Sequence, residues 1–574
     1  MTETSAPNES AKITANREML LDAQKRGGWA VLGVFTRLSG PGWLQSAITL
    51  GGGSLAGSLF LGVLGGTSLM WLQLLAITMG VVMLSAISYV TLSTGQRPFP
   101  AINRHINPVL GWGWLIATMM ANIIWCMPQF SLCFAALQEN LVGKSVGNSL
   151  GSKLAVSAVI LAATFTVVMM NLKQGIGAKI FDLVLKTLVG MIVICFFGVV
   201  VYLSLEGTLD WGKILMGFIP NFSQLNQPTG DVAGLVAGLP ESLQQFWTGR
   251  IVPEQRAVMI AAAATAVGIN MTFLLPYSML NRGWDKPFRG LARFDLSTGM
   301  AIPYVLVTSC VVIASASSFH AVIDDSLAST DPAVMSSSDY FKGVQPILAA
   351  RLEYDLGSEA YQAMSEQEQL AAMANLSPEE KRIATSLVRR DAFQLSKSLA
   401  PLLGEDNANY VFGLGIFGMG FSTIIILMLI NGYAFCELLG IKQGGWGFVV
   451  GCLIAGLAGA AWPMIWDGPA KLWLAILASS FGALLLPIAY FTFFLMMNNR
   501  DLMGDEKPKG GSMAIWNILM VMAIIVALAA AVTAVIEKAS DPKAGWLVIS
   551  VTIGYLVLVV LGFVLKSKAP ATAK

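Results

Sequence analysis

The sequence is poor in the groups that do chemistry in water. Of its 574 residues only 12% are charged, against about 25% in an ordinary soluble domain. Histidine occurs only at His105 and His320, both near the ends of apolar runs. No Walker loop, zinc-type cysteine pair, nucleophile elbow or cofactor-binding fingerprint is present, which argues against an ATP-driven pump and against an enzyme. A net charge of +2 carries no signal for nucleic acid or an acidic partner. The cysteines Cys126, Cys133, Cys195, Cys310, Cys436 and Cys452 all fall inside apolar segments, so they read as packing thiols and not as a disulfide framework. Residues 1–40 carry Arg17, Lys25, Arg26 and Arg37 but no short apolar core with a small-residue cleavage site. No removable signal peptide is expected.

What the chain has instead is apolar length. It is 55% hydrophobic with a mean hydropathy of +0.66, the composition of a multi-pass membrane protein. A span needs roughly 20 mostly apolar residues, and twelve stretches qualify: 41–64, 68–92, 112–138, 154–171, 183–205, 257–280, 299–319, 409–437, 446–466, 472–496, 513–536 and 545–565. An even number puts both termini on one side. Arg97, Arg104, Lys173, Lys179, Arg282, Lys286, Arg289 and Arg293 fall on the side of the N-terminus, whereas the short loops opposite hold only Lys144, Lys153, Lys471, Lys538 and Lys543. The positive-inside rule then predicts cytoplasmic termini in a plasma membrane of the bacterial inner-membrane type.

Two long connections lie on the outer side. Residues 206–256 contain Pro220, Pro228, Pro240 and Pro253 and read as an ordered loop with short helical pieces. Residues 320–408 carry fourteen Asp and Glu against seven Lys and Arg. Within them Ser377-Pro378-Glu379-Glu380 is a helix start, with Ile383, Leu387, Val388, Ala392, Leu395 and Leu399 following at helical spacing. The pattern predicts one amphipathic helix on the outer face, part of a cap on the membrane body or of an acidic funnel for cations.

Inside the spans ionisable residues are nearly absent, and Asp182, Lys186 and Glu437 sit at span ends where snorkelling accounts for them. The remaining polar groups are neutral: Ser46, Thr49, Ser54, Asn122, Gln129, Asn270, Thr272, Ser422, Thr423, Asn431, Ser479 and Ser480. Any one of them can be helix-packing glue. Several, however, gather at two helix breaks. Gly51-Gly52-Gly53-Ser54 interrupts the first span, and Gly268-Ile269-Asn270-Met271-Thr272, with Pro276 beyond, interrupts the sixth. Glycine tolerates the sharp turn such a break requires, and unwound backbone is found at membrane depth only where it lines a cavity within protein. Breaks five spans apart fit two inverted five-helix repeats with a central substrate site. The expected domains are an N-terminal segment 1–40, repeats 41–205 and 257–496 with the insertion 320–408, an outer loop 206–256, and helices eleven and twelve with the tail in 497–574. The expected substrate-binding residues are Ile48, Thr49, Gly51, Gly52, Gly53, Ser54, Gln129, Ile269, Asn270, Met271, Thr272 and Ser479.

Along spans one to ten the sequence resembles the Nramp family of divalent-metal transporters. The resemblance is carried by Gly40-Pro41-Gly42-Trp43-Leu44, Ser93-Thr94-Gly95, Arg293-Phe294-Asp295, Phe412-Gly413-Leu414-Gly415, Phe421-Ser422-Thr423-Ile424, Leu486-Pro487 and Leu502-Met503-Gly504. It implies an all-α leucine-transporter-type fold with helices one and six broken. It also exposes a departure. The family binds metal through Asp-Pro-Gly-Asn in helix one and Met-Pro-His in helix six, whereas here Gly51 and Ser54 stand at the Asp and Asn positions. One register places Thr272 at the Met and Leu274 at the His. A slip of one residue keeps Met271 at the Met, and the His is lost in both. Ser479 takes the place of a helix-ten glutamine, and the acidic pair of helix three is missing around Pro128 to Ser131.

A dehydrated manganese or iron ion needs anionic oxygen with nitrogen or sulfur donors. Carbonyls and hydroxyls alone fall short in a nearly uncharged cavity. A widened, neutral site would suit a hydrated ion, a monovalent cation or a small organic solute, and amides at the helix ends could take an anion. Three readings follow: an alternating-access carrier of a small ion, including a divalent metal; a carrier of a non-metal solute; and a receptor or scaffold that no longer transports. The partners implied are the substrate and the lipid bilayer, with oligomeric state left open. The topology makes its own prediction: cysteine at Ser337 should react with an impermeant maleimide in intact cells. Labelling only after permeabilisation would overturn the assignment.

Overall fold

The computed structural model describes residues 7–172, 176–442, 444–466, 468, 470–540 and 545–568. Lys173 and Lys543, used above for orientation, and the side chains of Trp43, Lys144, Lys179, Asp182 and Lys186 lie outside what is described. Every one of the twelve apolar stretches carries helix. Among the described residues, nine helices are long and apolar enough to cross a membrane, and Gly52–Gly65, Gly190–Leu205 and Trp446–Ala460 are shorter apolar helices. The chain is an all-α, multi-pass membrane protein.

The burial pattern sorts these helices. Glu405–Leu439 packs against Pro108–Ala135 and Trp446–Ala460, and Trp473–Asn498 fills the space beside Pro108–Ala135 and Glu241–Ala266. These elements form the centre. Gly510–Ala539 and Gly545–Lys568 expose Ile515, Ile518, Ile525, Leu547, Val551 and Leu558, an apolar surface that only lipid can cover in a folded monomer. Two helices, Pro7–Arg26 and Gly28–Leu38, precede the first span.

Two expectations for the outer side need correction. The sixth span was expected from 257, yet its helix begins at Glu241 and runs to Ala266 with Pro253 inside it. Gln244, Gln245, Arg250 and Glu254 hid that outer half from a search for apolar runs. Glu254 pairs with Arg389 of residues 320–408 (2.6 Å), Gln244 donates to Leu239 O (2.7 Å), and the next residue along, Gln255, donates to Gln227 O (3.0 Å) and to Gln224 O of the preceding connection. The single amphipathic helix expected behind Ser377 is two helices, Pro378–Ser386 and Ala392–Ser396. Asp391 starts the second with a capping box to Gln394, while Arg390 turns back to donate to Thr385 O (3.1 Å) and closes the first. A side chain that can cap competes with helix continuation. The apolar residues were read correctly as inward-facing, since Ile383, Val388, Ala392, Leu395 and Leu399 are all buried.

Residues 320–408 build a cap with its own core, in which Leu327, Met335, Val344, Leu348 and Ile383 join Val232, Val236, Trp247 and Ile251. Much of its acidic excess is structural. Asp324, Asp331 and Asp391 cap helix N-termini, Glu368 completes a capping box, and Glu380 pairs with buried Arg351 (2.5 Å).

The cap meets the membrane body at His320. Its Nε2 accepts from Asp231 N (2.9 Å), so Nδ1 carries the proton and donates to Val63 O (3.0 Å). Gly66 and Gly230 both lie at positive φ (57° and 64°) with the imidazole against their Cα atoms, so any side chain there would strain the backbone and strike the ring. Burial lowers the His320 pKa, against the opposing pull of the Val63 bond and the Asp231 charge. The folded state therefore favours the neutral ring. Its contribution to stability is full above the ordinary pKa of about 6.5 and is lost as pH falls through the depressed folded value. The thermal midpoint of purified protein should drop on acidification, and His320→Gln, which keeps one donor and one acceptor without titrating, should shrink that drop. Equal acid sensitivity in the two proteins would show that His320 does not hold the joint.

Candidate functional site

The first break occupies two residues. Helix Pro41–Thr49 ends as Leu50 N donates to Ser46 O (2.8 Å) and Gly51 N to Ile48 O (3.0 Å). Helix Gly52–Gly65 then starts, with Gly51 O accepting from Ser54 N (3.1 Å) and Leu55 N (3.2 Å). The glycines are not there for left-handed backbone, since Gly51 has φ −79° and none of Gly51, Gly52 and Gly53 has positive φ. They are there for space. A Cβ on Gly51 would sit 2.5 Å from Thr423 Oγ1, and one on Gly52 would sit 2.5 Å from Leu132 Cδ1 and 2.8 Å from Gln129 Oε1.

The second break lies at Val267 and Gly268, between Glu241–Ala266 and Ile269–Asn281. The two breaks face each other. Thr49 Oγ1 reaches Gln45 O (3.1 Å), Ala266 O (3.4 Å) and Met271 Sδ (3.7 Å), and Ser54 Oγ donates to Thr265 O (3.4 Å). Gly268 N in turn points at Met271 Sδ (3.4 Å).

A cavity lies between them, with about 40 Å³ open to the centres of water-sized molecules, room for about three waters. Of the expected residues, Ile48, Gly53, Ser54, Gln129, Met271 and Ser479 line it. Thr49 reaches its edge through Met271. Gly51 and Gly52 make room for Thr423 and Gln129 without lining the space themselves. The remaining three face elsewhere. Ile269 is fully buried and its carbonyl accepts from Thr272 Oγ1 (2.5 Å); Thr272 in turn accepts from Trp114 Nε1 (2.9 Å); Asn270 Nδ2 donates to Asn122 Oδ1 (3.2 Å). The side chain that faces the first break from helix six is therefore Met271, not Thr272, which favours the slipped register.

The cavity is also narrower than the loss of larger side chains suggested. Trp125 crosses it, its ring pressed against Gly268 and Gly482, where any Cβ would strike the indole. Trp125, Thr265 and Leu427 line the space and were not among the expected residues. A tryptophan in an apolar span carries no sequence signal of its own. Two buried polar atoms on the lining have no partner in the protein: the Gln129 Oε1 acceptor and the Trp125 Nε1 donor. Each costs roughly 1–3 kcal/mol if left unpaired, a cost that a partner reaching these atoms would relieve. Cys126 and Cys133, by contrast, are packed among Phe130, Phe134 and Ile424. Among the described residues no group of three or more His, Cys, Asp or Glu could hold a metal ion.

Below the cavity the first half-helix is pinned by charge. Asp295 accepts from Gly40 N (3.1 Å) and Gly42 N (2.6 Å), a carboxylate at the positive end of the helix dipole. Arg282 crowds Gly40, and the Asp295 backbone crowds Gly42, which explains why these two positions in Gly40-Pro41-Gly42 carry no side chain.

No curated protein matches the sequence. Crystal structures of a manganese transporter of Eremococcus coleocola, one of a mutant and one in complex with an aromatic bis-isothiourea substituted compound, are similar in fold. Each has a TM-score of 0.60 at 14% identity, covering 94% of this chain and 96% of that one. The family described as natural resistance-associated macrophage protein-like, Nramp, matches residues 42–350 and 370–537. That is most of the chain, and it takes in both broken helices. The chain thus belongs to the Nramp family and is a secondary transporter of a small ion or solute, not an enzyme.

Proposed function

We propose that the central cavity binds a small, neutral or singly charged solute, or an ion that keeps part of its water, and that the two facing breaks carry it by alternating access. The substrate-binding set in this reading is Ile48, Thr49, Gly51, Gly52, Gly53, Ser54, Gln129, Met271 and Ser479, joined by Trp125 and Thr423. Ile269, Asn270 and Thr272 act behind it as support. In the same reading the twelve helical stretches form two inverted repeats, 41–205 and 257–496, with helices eleven and twelve in 497–574. The protein then sits in the plasma membrane with cytoplasmic termini and the cap outside.

The observation that carries the reading is the donor set. Gln129 Oε1 and Trp125 Nε1 offer one free acceptor and one free donor, beside hydroxyls of Ser54, Thr265, Thr423 and Ser479 and the Met271 thioether. Among the described residues no carboxylate or imidazole lines the space. A dehydrated divalent ion would lose its water shell without gaining an anionic ligand. One feature favours a metal as the second reading: Met271 sulfur is turned inward, a soft donor suited to a transition metal. The Eremococcus coleocola protein of the same fold is a manganese transporter.

Uptake into proteoliposomes with a panel of metals, amino acids, small carboxylates and inorganic anions tests the reading. A transported neutral or singly charged solute supports it, whereas manganese as the sole cargo would replace it. Gly52→Leu should lower uptake of the transported substrate at least about tenfold at unchanged membrane expression, because the added side chain displaces Gln129 and Leu132. Unchanged uptake would move the site away from the first break.

Calorimetry on purified protein should show no saturable manganese binding in the micromolar range. Adding an anionic ligand should create it, but Gly51→Asp alone would collide with Thr423. The informative variant is Gly51→Asp with Ser54→Asn and Thr423→Ala, leaving Met271 in place. Micromolar manganese binding by the unaltered protein would sink the donor argument.

A further inference from the structure

A cavity much larger than the central one lies in the cap, about 400 Å³ on the same measure, within the usual range of about 300–1,000 Å³ for small-molecule sites. It opens between the end of helix Ile302–Phe319 and the segment that joins the two cap helices corrected above. Phe319, Val322 and Ile323 give it an apolar wall; Asp324, Asp339, Arg390 and Lys397 give it charge.

The four charges sum to zero, but only two of them are in contact with each other. Lys397 Nζ is 3.0 Å from Asp339, so that pair is neutral. Asp324 is engaged as a helix cap, accepting from Leu327 N (2.6 Å) and Ser338 Oγ (2.6 Å). Arg390 is only 1% exposed and makes no ion pair with any described residue. Its NH2 and NH1 groups donate to Thr385 O (3.1 Å) and Val388 O (3.4 Å), its guanidinium lies over the rings of Phe319 (4.8 Å) and Tyr340 (5.2 Å), and its Nε has no partner. Burial lowers its pKa to about 10, the Tyr340 contact opposing this, which leaves it charged at neutral pH. A buried guanidinium with a free N–H and no counter-charge is costly unless something else supplies the anion. Guanidinium also has the geometry for carboxylate oxygen.

We propose that this cavity is a second ligand site and that its ligand is a small organic monocarboxylate, with the carboxylate on Arg390 and the apolar body against Phe319, Val322 and Ile323. Asp324, which no described cation pairs, lines the same space, so a second negative charge on the ligand is repelled. This selects a monocarboxylate over phosphate or sulfate. The site is independent of the central cavity and of its cargo. It bears on transport by position: the residue after Phe319 is His320, which fastens the cap to Val63 in the outer half of the first broken helix.

The test is calorimetric titration of the purified full-length protein with sodium benzoate and sodium propionate, against sodium sulfate and sodium phosphate at equal ionic strength. One saturable benzoate site per chain is expected, with propionate weaker because it covers less of the apolar wall, and with sulfate and phosphate at least tenfold weaker than benzoate. Arg390→Gln should weaken benzoate at least tenfold. Should that variant fail to fold, Val322→Trp decides the matter, since Val322 is 44% exposed at the rim and a larger side chain there takes up cavity space while leaving Arg390 itself in place. Gly52→Leu, in the membrane body, should leave benzoate binding unchanged. The proposal is overturned by absence of saturable binding, by binding that survives a folded Arg390→Gln or Val322→Trp, by sulfate or phosphate binding as tightly as benzoate, or by loss of binding in Gly52→Leu alone, which would send the carboxylate to the central cavity.

Discussion

A backbone amide or carbonyl that leaves its helix inside hydrocarbon has no water to turn to, and each one left alone costs several kcal/mol. The structure depends on how this is met at two places at once. The breaks at Leu50–Gly51 and Val267–Gly268 lie against each other: Ser54, from the first, donates to the Thr265 carbonyl, at the second, and the Thr49 hydroxyl, 3.1 Å from Gln45 O, also lies 3.4 Å from Ala266 O. Met271 folds its sulfur back onto the Gly268 amide and the Thr49 hydroxyl. These contacts hold the two broken helices close together, and that closeness leaves the cavity between them small.

The same contacts explain what could and could not be read from the sequence. A run of three glycines inside an apolar span is visible in one dimension, and so are both breaks. The side chain that faces the cavity from helix six is not visible, because one residue of slip turns a helix by about 100°. Trp114, distant in sequence, settles it by donating to Thr272 and holding that face away from the cavity. Trp125 went unnoticed for a related reason, since an indole among apolar residues looks like core until it is found against Gly268 and Gly482. On the outer side, sequence periodicity identified the buried residues of the cap correctly but joined two helices into one. Asp391 has a local reason to start a new helix, and hydrophobic spacing does not register it.

The cavity's chemistry follows from its neutrality. In a family whose metal carriers place a carboxylate at the first break, this chain places Gly51, with Thr423 in the freed space. A hydroxyl and an amide can orient a dipole or replace one or two waters, but they do not offset the dehydration of a doubly charged ion. Met271 lines the cavity and its sulfur accepts from the Gly268 amide (3.4 Å). A thioether that serves the backbone is less free to serve an ion.

The outer half of the transporter cannot move independently of the cap. Glu139 lies in a π-helical turn, Ala136–Leu141, that continues the helix Pro108–Ala135. Its carboxylate takes the Lys471 ammonium at 2.6 Å on one oxygen and the Ala392 amide of the cap at 2.8 Å on the other. π-turns within longer helices are often found where function needs a side chain out of register, and here the turn aims one carboxylate at two other elements. Arg389 adds a second tie, to Glu254 on the outer half of helix Glu241–Ala266 (2.6 Å), and His320 a third, to the outer half of the first broken helix. A motion that separates helices three, six and ten must therefore either carry the cap as a rigid body or part Glu139 from Lys471. Both of those groups are largely buried, and parting a buried pair without replacement costs about 3–5 kcal/mol. Rigid-body motion avoids that cost.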